Sequence, residues 1–386
     1  MNMVSSEFYF VNTVEMFYED ATGVYGNNKS NFLQQYGDYP GINNFKNFLF
    51  FLGKNITFYD RTNTIQSPFN IKSFPGFEIP TYVKSTMSYG DCCEMRAKQL
   101  LEHAERTNRE LCIFYSGGID STCVVVSLLK VATKSQKKLI NIMMSFESYC
   151  ENKELYEKHI SNNLNIIPSH NFVSTIGDPK YICVTAEGND QLFGSWIMQQ
   201  MILTYGEKEI VHENLTHDKL LKYFNKPSNT IQQTENYVSM LEHVAAKAPV
   251  EIDTASKFFW WCNFTLKWQC VYFRILSLVS PGNRMCVVPE DNYFMFFSTK
   301  EFQLWSMNSS DEHIYDTLKT YKYICKEYIF DFDKNENYKL NKIKIGSLPK
   351  ICRRKPMAFA IDCNMKYYED LPEYEILLNP NNSFIF

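Results

Sequence analysis

Between residues 110 and 205 the chain alternates two kinds of segment, and this alternation limits its fold more than any other feature. "ELCIFY", "KLINIMMSF" and "YICVTA" are apolar almost without a break. Each precedes a longer run with helical spacing: "DSTCVVVSLLKVA", "ENKELYEKHISNNL" and "NDQLFGSWIMQQMIL". Strands apolar on both sides need cover on both faces, and short strands separated by helices pair in parallel. The spacing predicts an α/β fold built on a doubly wound parallel sheet. Residues 1–86 are rich in aromatics, Asn, Gly and Pro, with strand-like pieces "EFYFVN" and "NITFYD" between turn signals. They predict a small, irregular, β-containing N-terminal region, followed by a main domain over 87–386. That domain opens on "SYGDCCEMRAKQLLEHAERTN", expected as a helix capped by Asp91 with Met95, Leu100, Leu101 and Ala104 on its apolar face. Beyond about residue 205 the pattern is helical, forming a C-terminal extension whose 205–330 portion is expected to line a substrate region. There Trp260, Trp261, Trp268 and Tyr272 read as the core of a helix. The tail from about 330 is charged and reads as loop-rich.

Composition narrows the function classes. A chain of 386 residues can bury more than one core. A net charge of −4 with no Lys/Arg tract does not favour nucleic acid as a partner, leaving a local basic groove as the one route to it. No basic segment leads an apolar one in "MNMVSSEFYF", and "FKNFLFFLGK" and "VYFRILSLV" are too short to span a bilayer, so neither signal peptide nor membrane is expected. The 12 cysteines are scattered without any C-x-x-C, which predicts reduced thiols and a cytoplasmic location. The seven histidines are dispersed, and no zinc pattern is present.

The strand "ELCIFY" runs into "SGGIDST", so a buried strand ends on hydroxyls, two glycines and an acid before a helix begins. Helix N-termini present unpaired N–H groups and positive partial charge, and glycines let a phosphate approach the main chain. Ser116, Ser121 and Thr122 add hydroxyls. Asp120 would repel a bare phosphate but suits one accompanied by magnesium. The Walker pattern is absent, since no Gly-Lys-Ser/Thr follows. Ser116-Gly117-Gly118-Ile119-Asp120-Ser121 resembles the S-G-G-x-D-S loop of the PP-loop ATP pyrophosphatases, which cleave ATP between its α and β phosphates. A second stretch, "VTAEGNDQLFGSW", is similar to the S-G-E-G-S-D-E-x-F-G-G-Y segment of asparagine synthetase and β-lactam synthetase. Alanine, asparagine, glutamine and serine replace family residues at 186, 189, 191 and 195.

The resemblance spans roughly residues 88–365. It implies an asparagine synthetase-type domain with a HUP-like sheet that uses ATP and Mg2+. The metal would lie between Asp120 and Asp190, and Glu187 would be the catalytic carboxylate. Phe114, Ser116, Gly117, Gly118, Asp120 and Ser121 would line the ATP site, with Thr185 and Ala186 at the nucleotide. Ser145 and Phe146 match the start of a family stretch that contacts adenine or ribose. "LPKICRRKPMAFAI" resembles L-P-x-x-I-x-x-R-x-K-x-x-F with one residue fewer before the Arg, placing Arg353 and Lys355 as catalytic cations. "NRMCVVPEDNYF" is faintly similar to a further family stretch and carries no assigned role.

Chemistry gives these residue types independent reasons. Two carboxylates on one divalent ion let it bridge phosphates and neutralise a departing pyrophosphate, and a third can take a proton from an attacking amine. The resemblance implies an ATP-dependent amide-forming ligase. It would adenylate a carboxylate, release pyrophosphate, transfer ammonia or an amine, and release AMP. The glutamine-dependent relatives begin with a processed cysteine and a nucleophile domain. Here no Cys precedes Cys92, so nitrogen is expected as free ammonia, from a separate glutaminase, or as an amine on a second substrate. Two alternatives stay open: adenylation and amination of a nucleotide or nucleic-acid base, and a catalytically silent nucleotide-binding subunit.

Overall fold

The computed structural model describes residues 8–11, 60–65, 73–74, 78–225, 230–268, 271–272, 292–313, 322–342 and 359–362. The chain divides into two compact units, each assembled from separate stretches. One comprises Met1–Ile79, Trp196–Val287 and Lys355–Phe386, the other Pro80–Ser195 and Val288–Arg354. The described strands are β1 (Phe8–Val11), β2 (Ser73–Phe74), β3 (Glu110–Phe114), β4 (Ile140–Met144), β5 (Asn165–Pro168), β6 (Tyr181–Thr185), β7 (Tyr293–Met295) and β8 (Phe359–Asp362). The principal described helices are α1 (Tyr89–Thr107), α2 (Ile119–Val131), α3 (Phe146–Glu151), α4 (Asn189–Phe193), α5 (Ser195–Tyr205), α6 (His217–Phe224), α7 (Ile231–Ala245), α8 (Ala255–Leu266), α9 (Lys300–Asn308), α10 (Tyr323–Asp333) and α11 (Glu336–Asn341).

The second unit is α/β, with a five-stranded, wholly parallel sheet in the order β5-β4-β3-β6-β7, a Rossmann-like arrangement. β3, β4 and β6 form because their side chains are apolar in both directions. Every residue of β4 is buried, as are Leu111–Phe114 of β3 and Ile182–Thr185 of β6. α1 and α10 pack on α2, and α9 packs on α1 and α4. At the centre of this packing the Tyr89 ring meets Phe193, Phe297, Phe302, Trp305 and Tyr328, with centroids 5.0–6.3 Å apart.

Four local expectations are corrected. The cap of α1 is Ser88, whose hydroxyl accepts from the Asp91 N–H (3.1 Å), while the Asp91 carboxylate accepts from the Ser88 N–H (3.1 Å). Asp91 is the acidic half of a capping box rather than the cap. "ENKELYEKHISNNL" is interrupted at Asn152, whose side chain caps a new turn by accepting from the Leu155 N–H (3.2 Å), and a π-helical turn follows at Tyr156–Ile160. "NDQLFGSWIMQQMIL" splits into α4 and α5 at Gly194, whose φ of +93° no ordinary helix residue adopts. The start of the tail, read as loop-rich, is helical through the end of α10 and α11, and of its remainder only residues 342 and 359–362 are among the described residues.

In the first unit β8 pairs antiparallel with both β1 and β2, giving a three-stranded sheet. α8 carries the aromatic core foreseen from its spacing, since Trp260 and Trp261 are buried, as is Trp268 just beyond its end. Arg61 inserts its guanidinium against the rings of Phe264 (4.7 Å) and Trp268 (4.3 Å) and donates to the Phe264 carbonyl (2.9 Å). Part of the N-terminal region thus belongs to the core of the helical unit. No helix among the described residues is long and apolar enough to cross a membrane, and the cysteines among them are free thiols.

Candidate functional site

β3 and β6 are neighbours in the sheet although β4 and β5 lie between them in the chain. From β3 the chain works outward through β4 to β5, then returns to β6 on the other side. The carboxyl ends of β3 and β6 therefore flank the switch point, where open parallel sheets leave a crevice. The two polar turns prominent in the sequence follow these two strands.

In the first turn Gly117 has φ +75°, and a Cβ there would lie 2.5 Å from the Ser148 carbonyl oxygen and 2.6 Å from the Glu151 Cβ. The helix that follows β4 closes on this turn so tightly that only glycine fits. Gly118 caps α2 in an extended conformation with no side-chain bond. The next N–H groups, of Ile119, Asp120 and Ser121, have no acceptor within the helix and carry the positive end of its dipole. The turn is braced by its own hydroxyls. The Ser116 N–H donates to Ser121 Oγ (3.1 Å), the Gly118 N–H to Ser116 Oγ (3.2 Å), and Ser121 Oγ to the Gly118 carbonyl (3.1 Å). From α11, the buried Tyr338 hydroxyl donates to the Gly117 carbonyl (2.8 Å) and meets the Thr122 hydroxyl (3.0 Å). Burial holds the Tyr338 pKa well above the usual phenol value, so it stays a neutral donor. Beside it, the half-buried Lys342 pairs with buried Glu151 at 2.9 Å.

The second turn brings its acid to the first. The Lys322 ammonium lies 2.6 Å from Asp120 Oδ1 and 2.5 Å from Asp190 Oδ1, so the two carboxylates foreseen as a metal pair share one cation. Asn189, fully buried, donates its side-chain amide to Asp120 Oδ1 (2.6 Å) and Cys325 Sγ (3.5 Å), and accepts from the Tyr89 hydroxyl (3.1 Å). Asp120 is thereby oriented from the aromatic core, and asparagine at 189 has a structural purpose that serine is too short to serve. Gly188, at φ +94°, turns the chain from β6 into α4. Ala186 and Glu187 are half-buried at this turn. Thr185, 1% exposed at the end of β6, has a hydroxyl with no hydrogen-bond partner. One turn along α10 from Lys322, burial lowers the Lys326 pKa.

The remaining residues are placed less centrally. The Phe114 ring is buried against Phe172 (5.2 Å) and contributes packing to the strand end. Ser145 caps α3 by accepting from the Ser148 N–H (3.3 Å), and Phe146 projects into solvent with 74% of its surface exposed. Arg353 and Lys355 lie outside the described residues.

Lys322, Tyr338 and the Glu151–Lys342 pair were missed in the sequence. Lys322 is 202 positions from Asp120, inside the helical 205–330 portion where no sequence signature stands out, and no local pattern distinguishes it.

Asp120 and Asp190 offer hard oxygen donors from the first turns of two separate helices, α2 and α4. Among the described residues no group of three or more His, Cys, Asp or Glu could hold a metal unaided. A pair of carboxylates still fits magnesium, which is usually held by one or two of them together with waters and substrate phosphates. The orphaned Thr185 hydroxyl and the open first turn of α2 are polar groups suited to a ligand at the same crevice. No protein-family model matches this chain, and neither does any curated protein.

Proposed function

We propose that the chain is a Mg2+- and ATP-dependent amide-forming ligase of the asparagine synthetase type, with a HUP-like sheet. It would adenylate a small-molecule carboxylate, or a nucleotide acceptor, and aminate it with ammonia or an amine. The observation that carries this reading is the convergence of Asp120 and Asp190, from the first turns of the helices that follow β3 and β6, on a single cation. Beside them lie a glycine turn and a helix N-terminus suited to phosphates. The free thiols among the described residues fit a cytoplasmic setting.

In this reading the main-chain N–H groups at the start of α2 hold the terminal phosphates, and Asp120 and Asp190 hold the magnesium. When bound, magnesium supplies charge neutralisation for the departing pyrophosphate. Asn189 keeps the Asp120 carboxylate turned toward the crevice. The Thr185 hydroxyl donates to the nucleotide. Glu187 takes a proton from the attacking nitrogen as the carbon–nitrogen bond forms and AMP leaves, and Arg353 and Lys355 stabilise charge on the reacting phosphates.

The test is product analysis with a panel of carboxylates plus ammonia or hydroxylamine. AMP and pyrophosphate should form in equal amounts, only with an acceptor, and fall to background in Asp120→Ala. ADP as product rules the reaction out. The ammonium already seated between the acids favours one second reading, a nucleotide-binding subunit without chemistry. ATP binding by calorimetry with no pyrophosphate release for any acceptor would select it.

A further inference from the structure

We propose that Lys322 is a displaceable internal cation that holds Asp120 and Asp190 in register in the unliganded protein and yields them to the divalent ion that arrives with a triphosphate. This rests on the reading of the crevice as a metal–nucleotide site and adds a residue and an order of events to it.

The same oxygen atom of each acid, Oδ1, is used by the ammonium. A divalent ion held by the same two carboxylates would meet the ammonium's positive charge at contact distance, so lysine and metal would compete for the pair. The lysine is 4% exposed and fixed on the protein side, whereas Asp190 keeps 54% of its side chain in contact with solvent. An incoming ion can therefore reach the acids from the open side. The Lys322 backbone is in the left-handed region, at φ +56°, as the N-cap of α10. That conformation is costly for a lysine and is maintained here by the contacts of its neighbours and its ammonium. Without a cation, two carboxylates held this close would repel, and the second turn would drift from the first. The ammonium prevents this while no substrate is present. Once a metal and a polyphosphate are bound, it has new anionic oxygens to pair with. The divalent ion adds positive charge to the crevice, and the triphosphate brings more negative charge than the ion offsets, which leaves anionic oxygens for the displaced ammonium.

The experiment measures Mn2+ binding by electron paramagnetic resonance, with and without an ATP analogue that resists α–β cleavage. The proteins are wild type, Lys322→Met and Lys322→Met/Asp190→Asn, each also followed by thermal unfolding. Wild type should bind Mn2+ weakly alone and about tenfold tighter or more with the analogue. Lys322→Met, freed of the competitor, should bind Mn2+ about tenfold tighter than wild type without nucleotide. The double variant should lose that gain, and Mn2+ should restore the thermal stability that the single variant lacks. Equal nucleotide-free affinities in wild type and Lys322→Met overturn the displaceable lysine, while analogue-dependent Mn2+ binding in both leaves the metal–nucleotide site standing. Absence of Mn2+ binding in every protein, with or without the analogue, removes both. A Lys322→Met chain that unfolds and is not rescued by Mn2+ makes the lysine a structural counter-ion and overturns the proposal.

Discussion

Gly117→Ala is the substitution whose cost follows most directly from the geometry. The new methyl would sit 2.5 Å from the Ser148 carbonyl oxygen and 2.6 Å from the Glu151 Cβ, far inside van der Waals contact. The first of these neighbours is backbone of α3 and cannot rotate away. The residue must also hold φ +75°, which costs an L-residue about 1–2 kcal/mol. Overpacking adds about 1–3 kcal/mol, so the total is about 2–5 kcal/mol. The loss is local to the junction of β3, α2 and α3, and hydrogen exchange by mass spectrometry reads it there. At about 1.4 kcal/mol per decade, peptides covering 110–131 should lose protection by at least about 25-fold. Gly177→Ala is the internal control, because no atom lies within 4 Å of its Cβ position and its φ is −89°. It should leave protection unchanged or slightly raised. Equal behaviour of the two variants would refute the tight closure of α3 on the glycine turn, and with it the account of how the turn is shaped. Under the proposed function, Gly117→Ala also abolishes pyrophosphate release.

Three further outcomes are expected. Tyr338→Phe removes the donor to the Gly117 carbonyl and the partner of the Thr122 hydroxyl, and should cost about 1–3 kcal/mol in urea unfolding; no loss would mean the turn is not braced from α11. Thr185→Val replaces a buried hydroxyl that has no partner, so it should leave stability unchanged or raised while weakening ATP binding in calorimetry; destabilisation without a binding change would make the hydroxyl structural. The Ser88 hydroxyl and N–H hold the Asp91 carboxyl below its ordinary value, so the unfolded chain takes up its proton first on acidification. The capping contribution is present above about pH 4 and is lost as pH falls through the folded value. The stability gap between wild type and Asp91→Asn should accordingly narrow below about pH 4, and a gap independent of pH would count against the ionised cap.

The legible parts of the fold share one property, which is that their cause is local. β3, β4 and β6 are apolar runs closed by polar turns, and α2 begins directly after two glycines, so each could be drawn from a few adjacent residues. β5 escaped notice because it is an edge strand of four residues, largely exposed and ending in Pro168, with no apolar pattern to mark it. β7 escaped because three residues beside β6 are recruited from a hundred positions downstream, and only the ladder from Cys183–Thr185 to Tyr293–Met295 makes them a strand. The helix breaks at Asn152 and Gly194 turn on single residues that periodicity averages away. At the site, the glycine turn was readable from its strand–turn–helix context, and the acids at 120 and 190 stood out because their two short stretches resemble motifs of a known family. The Lys322 bridge, the Asn189 link to Tyr89 and the Tyr338 brace were not, since each joins positions far apart in the chain.

What the amino-acid order determined alone was therefore the class of fold and the two turns, through hydrophobic pattern and backbone permissiveness, both of which act over a few residues. Only the tertiary structure decided that those turns meet. The strand order brings β6 next to β3, and that adjacency arises from packing energies summed over the whole unit. The same packing sets a lysine between two carboxylates, a charge placement that no window of sequence records because its electrostatic partners exist only once the chain has folded.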